Sequence, residues 1–272
     1  MSPLPSRPGR PHPLQVSVIG AGAIGGAVAA ALEDGQAPGA RLSAVLRSTS
    51  TDAEIDRAIA RADVVVEASS VEAAEHYIPR VTAAGRDLIV CSCGVFARHP
   101  DPHDLLPADA QGRVLVPAGA IGGLDVLSAA ARAGTEQAEV RHITIKSPAA
   151  LVVVDPLTAP REVFRGSARR AALEFPRTSN ASVALALATL GLDRTEVVVV
   201  ADPDVERTRH IVEWRSPLGS YDLRFENALD PDSGGRTSAI TAWSVISALS
   251  GLVAGAGPGL VVLDRAGGAT RS

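Results

Sequence analysis

Short apolar runs alternate with helix-forming stretches along the first half of the chain. Gln15–Ile19, Leu42–Leu46, Asp63–Val66 and Leu88–Cys91 are brief and rich in aliphatic residues, the pattern of strands buried on both faces. Between them lie alanine-rich Ala23–Leu32, polar Asp52–Ala60 with Asp52 as its N-terminal cap, and Val71–Ala83, which ends before Gly85. Repeated alternation of strand and helix predicts an α/β fold: a doubly wound parallel sheet with right-handed crossovers. A closed eightfold barrel needs more such units than this chain holds.

The pattern changes near Pro117. Ile121–Ala133 predicts one more helix, His142–Lys146 alternates like a half-exposed strand, and Ser167–Leu190 is helical with a break at Phe175-Pro176. Glu196–Val200, His210–Arg215 and Tyr221–Asn227 follow as strand-like runs whose short connections favour antiparallel pairing beneath the preceding helices. This predicts a second, smaller α+β domain. Thr237–Leu252 is a last helix, apolar on one face and expected to pack back on the first domain. The implied division is a disordered, proline-rich tail over residues 1–13 without the apolar core of a secretion signal, a first domain over 14–117 joined by 236–272, and a second over 118–235.

Gly20-Ala21-Gly22-Ala23-Ile24-Gly25 follows the first strand and opens the first helix. Gly20 permits a tight turn, Gly22 lets a pyrophosphate approach the backbone, and Gly25 lets helix and strand close together. The free N–H groups of the helix start, around Ala23 and Ile24, suit a diphosphate. In this context the motif is the dinucleotide fingerprint of a Rossmann domain. The second strand ends Leu46-Arg47-Ser48-Thr49, with no acid to hold a ribose diol. Arg47 could instead pair with a 2′-phosphate, with Ser48 adding a donor, so NADP is favoured over NAD. Ser69, after the third strand, falls where a cofactor ribose lies.

Composition narrows the classes. The 26 basic residues against 30 acidic ones and 3% aromatic content give neither a phosphate-binding surface nor base-stacking platforms, so no nucleic-acid partner is expected. No run of apolar residues is long enough for a membrane span. Cys91 and Cys93, one residue apart, read as two small buried thiols rather than a disulfide or a metal site, which fits the cytoplasm.

The second half resembles the L-aspartate dehydrogenase family. The likeness rests on Pro117-Ala118-Gly119-Ala120-Ile121-Gly122-Gly123-Leu124-Asp125, on Phe164-Arg165-Gly166-Ser167-Ala168-Arg169 with Phe175-Pro176 and Asn180, on Ala201-Asp202-Pro203 with His210, and on Thr237-Ser238. With the glycine loop these stretches cover nearly the whole chain in order. The resemblance implies a Rossmann domain plus a smaller catalytic domain, often in a homodimer. It implies conversion of L-aspartate, water and NAD(P)⁺ to oxaloacetate, ammonia and NAD(P)H. His210 matches the family's acid/base, and Asn180 and Ala120 match residues that contact the cofactor. The chain departs from the pattern at Ala118, Thr178, Ile211 and Ser233-Gly234-Gly235-Arg236, all near the expected substrate pocket, so a related amino acid stays open.

Oxidising an α-amino acid requires a proton shuttle near neutrality, which histidine supplies. His210, at the start of a strand, is the candidate. The other histidines sit in the tail (His12), in a loop (His99, His103), on a helix (His76) or opening a strand (His142). A small dicarboxylate substrate needs cations and donors. Lys146 is the interior candidate, and Arg236, Thr237 and Ser238 are expected at a helix N-terminus, a good place for a carboxylate. Arg169 and Arg170 read as a solvated helix face. The rival readings are an NADP-dependent dehydrogenase or imine reductase on another substrate, and a non-catalytic NADP(H)-binding sensor.

Overall fold

The computed structural model describes residues 12–151, 156–233 and 237–254. Nearly all of the tail over 1–13, the end of the chain from 255 and Arg236 therefore lie outside the described residues.

The first half forms β1 (Leu14–Ile19), α1 (Ala23–Glu33), β2 (Ala40–Leu46), α2 (Asp52–Arg61), β3 (Val64–Glu67), α3 (Val71–Ala83), β4 (Asp87–Val90) and β5 (Val114–Leu115). The strands make one parallel sheet in the order β2-β1-β3-β4-β5. This is the doubly wound arrangement that the alternating pattern predicts. The cap of α2 is Thr51, one residue earlier than expected. Its hydroxyl accepts from Glu54 N, and Glu54 reaches back to the Thr51 N–H to complete a capping box.

The second half forms α4 (Leu124–Arg132), β6 (Glu139–Lys146), β7 (Arg161–Ser167), α5 (Ala168–Glu174), α6 (Asn180–Ala188), β8 (Thr195–Ala201), β9 (Thr208–Ser216), β10 (Gly219–Asn227) and α7 (Ile240–Ala254). Helix α4 starts three residues later than its apolar pattern suggests, because Gly123 before it adopts φ +74° and breaks the helix there. The sheet order is β10-β9-β6-β8-β7. Pairing of β9 with β10 is antiparallel as expected, but β8 pairs with β6 in parallel, so this sheet is mixed. β7 lies at its edge, a strand that the sequence reading passed over.

Helix α7 returns to the first sheet. Val245 and Leu249 pack in one cluster with Val16, Val18 and Val28. A second cluster joins the halves: Val71, Val95 and Phe96 share a core with Phe164, Ala168, Val183 and Val197. Arg169, read from sequence as solvated, spans the same junction. Its guanidinium donates to the carbonyls of Ala97 and His99 at 3.0 and 2.5 Å and pairs with Asp193. Arg170 is exposed, as expected, and lies over the Phe164 ring. Among the described residues no helix is long and apolar enough to cross a membrane.

Candidate active site

The carboxyl ends of β1, β3 and β4 meet the inner face of the second sheet across a cleft. At the first wall, Gly20 turns with φ +97°, and its N–H donates to the Leu46 carbonyl at 2.9 Å. That bond sets exposed Arg47 and Ser48 beside the glycine turn. A Cβ on Gly20 would lie 2.5 Å from the Ala68 carbonyl oxygen, and one on Gly25 would lie 2.1 Å from that of Gly20. Both glycines are thus demanded by the packing of the protein itself. Gly22 is different: a Cβ there would meet nothing within 4 Å.

Gly22 caps α1 without any side-chain hydrogen bond, so the amides of the first turn face an open groove. That groove, about 480 Å³, runs from Gly22, Ala23 and Ile24 past Ser69 to Asn180. A cradle of bare amides, room for a ligand at Gly22 and a positive helix end fit a diphosphate. Ser69 lines it, with N and Oγ both donating to Glu67 Oε1 at 2.7 and 2.9 Å.

Glu67 is fully buried at the end of β3, and the sequence reading did not single it out. It also accepts from Ser92 N and Oγ at 3.1 and 2.9 Å, tying the turn after β3 to the turn after β4. Burial pushes its carboxyl pKa up, and these bonds from Ser69 and Ser92 oppose that rise. The only visible signal was an acid closing an apolar strand.

Deeper in the cleft, His210, Lys146, Asn180, Ala120, Thr237 and Ser238 line one cavity together with Cys91 and Cys93. Both thiols are free and buried; burial and nearby Glu67 push the Cys93 thiol up to about 12, leaving it inert at neutral pH. Lys146 is 4% exposed, and burial lowers its pKa to about 8. Thr237 and Ser238 do not open a helix. α7 begins only at Ile240, and Ser238 is held instead in a bridge to Leu229. They offer hydroxyls and backbone amides but no helix end.

His210 is 2% exposed. Its Nδ1 lies 3.1 Å from His142 Nε2, and its Nε2 has no hydrogen-bond partner among the described residues. Desolvation is the chief cause that holds its pKa well below the ordinary value; the positive charge of Lys146 adds to it, and so does that of His142 once His142 is itself protonated. A buried imidazole with one nitrogen tied and one unsatisfied is a base awaiting a ligand.

Comparison with known proteins agrees with this geometry. Residues 20–116 match the family described as homoserine dehydrogenase, NAD binding domain, and residues 125–252 match aspartate dehydrogenase, C-terminal. L-Aspartate dehydrogenase 2 of Bordetella pertussis is 36% identical over 260 residues, covering 86% of this chain and 95% of the relative. The chain belongs to the aspartate dehydrogenase family. L-Aspartate dehydrogenase of Pseudomonas aeruginosa is 33% identical, over 87% of this chain and 96% of the relative. The crystal structure of aspartate dehydrogenase from Thermotoga maritima superposes with a TM-score of 0.68 at 28% identity, covering 89% of this chain and 97% of that one. As a member of this family the chain is an oxidoreductase with an NAD(P)-binding domain.

Among the family-matched positions, Asn180 starts α6, and its Oδ1 accepts from Gly94 N at 3.1 Å across the cleft. The Ala120 carbonyl accepts from Asn227 Nδ2 at 2.7 Å. The structure adds Arg177, which lines both the groove and the cavity. It also adds His142, which the sequence reading set aside. The available signal was the period-two series His142, Thr144, Lys146 on the face that turns inward.

The histidine pair predicts acid sensitivity. Burial, with Lys146 nearby, lowers His142 from 6.5 to about 4. Between these values the unfolded chain binds a proton that the folded one refuses, so stability falls as pH drops from 6.5 towards 4. At about 1.36 kcal/mol per pKa unit the loss from this residue is about 3 kcal/mol. Urea unfolding at pH 7 and pH 4.5 should show most of that drop, about 2.5 kcal/mol, and a smaller one in His142→Phe. Equal drops in the two proteins would refute it.

Proposed function

We propose that the chain is an L-aspartate dehydrogenase, converting L-aspartate, water and NAD(P)⁺ to oxaloacetate, ammonium, NAD(P)H and a proton by way of iminosuccinate. The observation that carries this reading is the Nε2 of His210, without a hydrogen-bond partner among the described residues and buried in a cavity that opens beside the glycine turn. The dinucleotide would lie along Gly20, Gly22, Ala23, Ile24 and Gly25, past Ser69, with its nicotinamide end near Ala120 and Asn180. When bound, it takes up the two electrons released at Cα.

The remaining steps fall to the protein. His210, neutral at physiological pH because burial disfavours its cation, accepts a proton at Nε2 from the water that adds to the imine carbon. The same atom returns a proton to the departing amine. Lys146, with a pKa near 8, is mostly a cation at neutral pH and faces a carboxylate of the substrate. Thr237 and Ser238 donate to that carboxylate or its partner. The depth of the cavity limits bulk water, which strengthens each of these interactions.

The reading assigns residues 14–117 with 236–272 to dinucleotide binding, and 118–235 to catalysis and subunit contact. The outer face of the second sheet supports a homodimer. Half-buried Ile143, Ile145 and Ile211 lie there beside the Arg141–Glu196 and Arg141–Glu213 pairs, a self-complementary patch suited to twofold association. Sedimentation giving only the monomer mass would remove that part. Two free thiols accord with a cytoplasmic location.

Arg47 and Ser48 favour NADP, since a guanidinium beside the glycine turn suits a 2′-phosphate. The experiment is NADPH consumption with oxaloacetate, with and without ammonium, repeated with NADH and with other keto acids. Ammonium-dependent consumption, fastest with oxaloacetate and with the lower Michaelis constant for NADPH, is the expected result. Consumption independent of ammonium would sink the reaction assigned, and a clear NADH preference would sink the role of Arg47.

A further inference from the structure

His142 on β6 and His210 on β9 project from the same face of the second sheet, where Thr144 is the cross-strand partner of His210. The two imidazoles are tilted by only 24°, with His142 Nε2 3.1 Å from His210 Nδ1. On its other side, His142 Nδ1 lies 2.8 Å from Ser182 Oγ of α6. All three side chains are buried, at 2% exposure or less. Both nitrogens of His142 are thus engaged, and His210 keeps one nitrogen, Nε2, for the cavity.

We propose that His142, oriented by Ser182, is a positioning residue that accepts the Nδ1–H of His210 when Nε2 takes a proton, and so reserves Nε2 as the reacting atom. The inference rests on the reading of His210 as the acid/base. A protonated imidazole is a donor at both nitrogens, so the His210 cation needs an acceptor at Nδ1. Nε2 of a neutral His142 is that acceptor, while its Nδ1–H donates to the serine hydroxyl, which accepts as readily as it donates. Burial and Lys146 hold His142 neutral above about pH 4, so it stays an acceptor through the working range. Among the described residues, the charged or titratable groups facing His210 are His142 and Lys146 from β6, Cys91 and Cys93 at the end of β4, and Arg177 between α5 and α6. Of these, His142 is the one in hydrogen-bond contact.

The test compares His142→Phe, which keeps a ring but no acceptor, with His142→Gln, whose amide oxygen can accept from His210. In His142→Phe we expect unchanged NADPH affinity and turnover reduced roughly 10–10²-fold. The acid limb of kcat/KM for aspartate oxidation should move to lower pH, because the His210 cation has lost its partner. His142→Gln should recover most of the turnover and restore the limb. An unmoved acid limb in His142→Phe, or His142→Gln behaving like it, overturns the proposal. Should His142→Phe fail to fold, nitrogen-15 NMR of the cofactor-free wild type decides: a coupling across one shared proton between the two imidazoles supports the pair, and its absence refutes it. That readout needs no turnover, so it stands apart from the assay of ammonium-dependent activity.

Discussion

His210→Ala is expected to lower turnover roughly 10²–10⁴-fold while leaving NADP(H) affinity intact, the range lost when a general acid/base is removed. The side chain reaches into the cavity from the second sheet, and the groove lined by Gly22 and Ser69 does not include it. Its removal therefore spares the dinucleotide site. It also leaves His142 Nε2 without its partner in a buried place, at a cost of about 1–3 kcal/mol, which lowers the urea midpoint without abolishing folding. Steady-state turnover, NADPH titration by fluorescence and a urea curve, taken together, separate the chemistry from the fold. Turnover within about tenfold of the wild type would take His210 out of the mechanism, since general acid/base groups contribute at least about 10².

Gly25→Ala should abolish dinucleotide binding and lower stability by about 1–3 kcal/mol through overpacking. The new methyl would sit 2.1 Å from the Gly20 carbonyl oxygen and 3.3 Å from Val18 Cγ1, so α1 must move off β1. That movement breaks the register between the glycine turn and the first-turn amides, which a diphosphate needs together. Gly22→Ala is the informative contrast. It meets no atom of the described residues within 4 Å, so its melting temperature should match the wild type, while the methyl takes up ligand space and weakens binding. Calorimetric melting and NADPH titration of both variants test the pair. Wild-type affinity in Gly22→Ala would mean that the dinucleotide lies elsewhere.

Both expectations begin from features that a linear reading can reach. The glycine spacing, the short aliphatic runs and the helix stretches between them specify the first sheet, because parallel strands buried on both faces carry their signal within themselves. His210 was reachable through its place in a family pattern and through the chemistry of imidazole. Boundaries followed local rules as well, where Thr51 rather than Asp52 holds the α2 cap.

The second sheet was less legible. Its parallel β6–β8 pair joins residues far apart in the chain, and the edge strand β7 has arginine, glutamate and glycine among its residues, so neither announces its partner locally. Arg169 looked like a solvated helix residue, because nothing near it in sequence reveals the carbonyls of Ala97 and His99. Thr237 and Ser238 reached the cavity without the helix end assumed for them.

Residue order along the chain thus dictates the strand–helix repeat, the glycine turn and the family, all of which depend on neighbours a few positions away. The polar partnerships of the site do not: Glu67 with Ser92, and His142 with Ser182 and His210, join residues 25 to 68 positions apart. Such contacts exist only once the sheets are closed and water is excluded, and that same exclusion lowers the pKa of His142, His210 and Lys146.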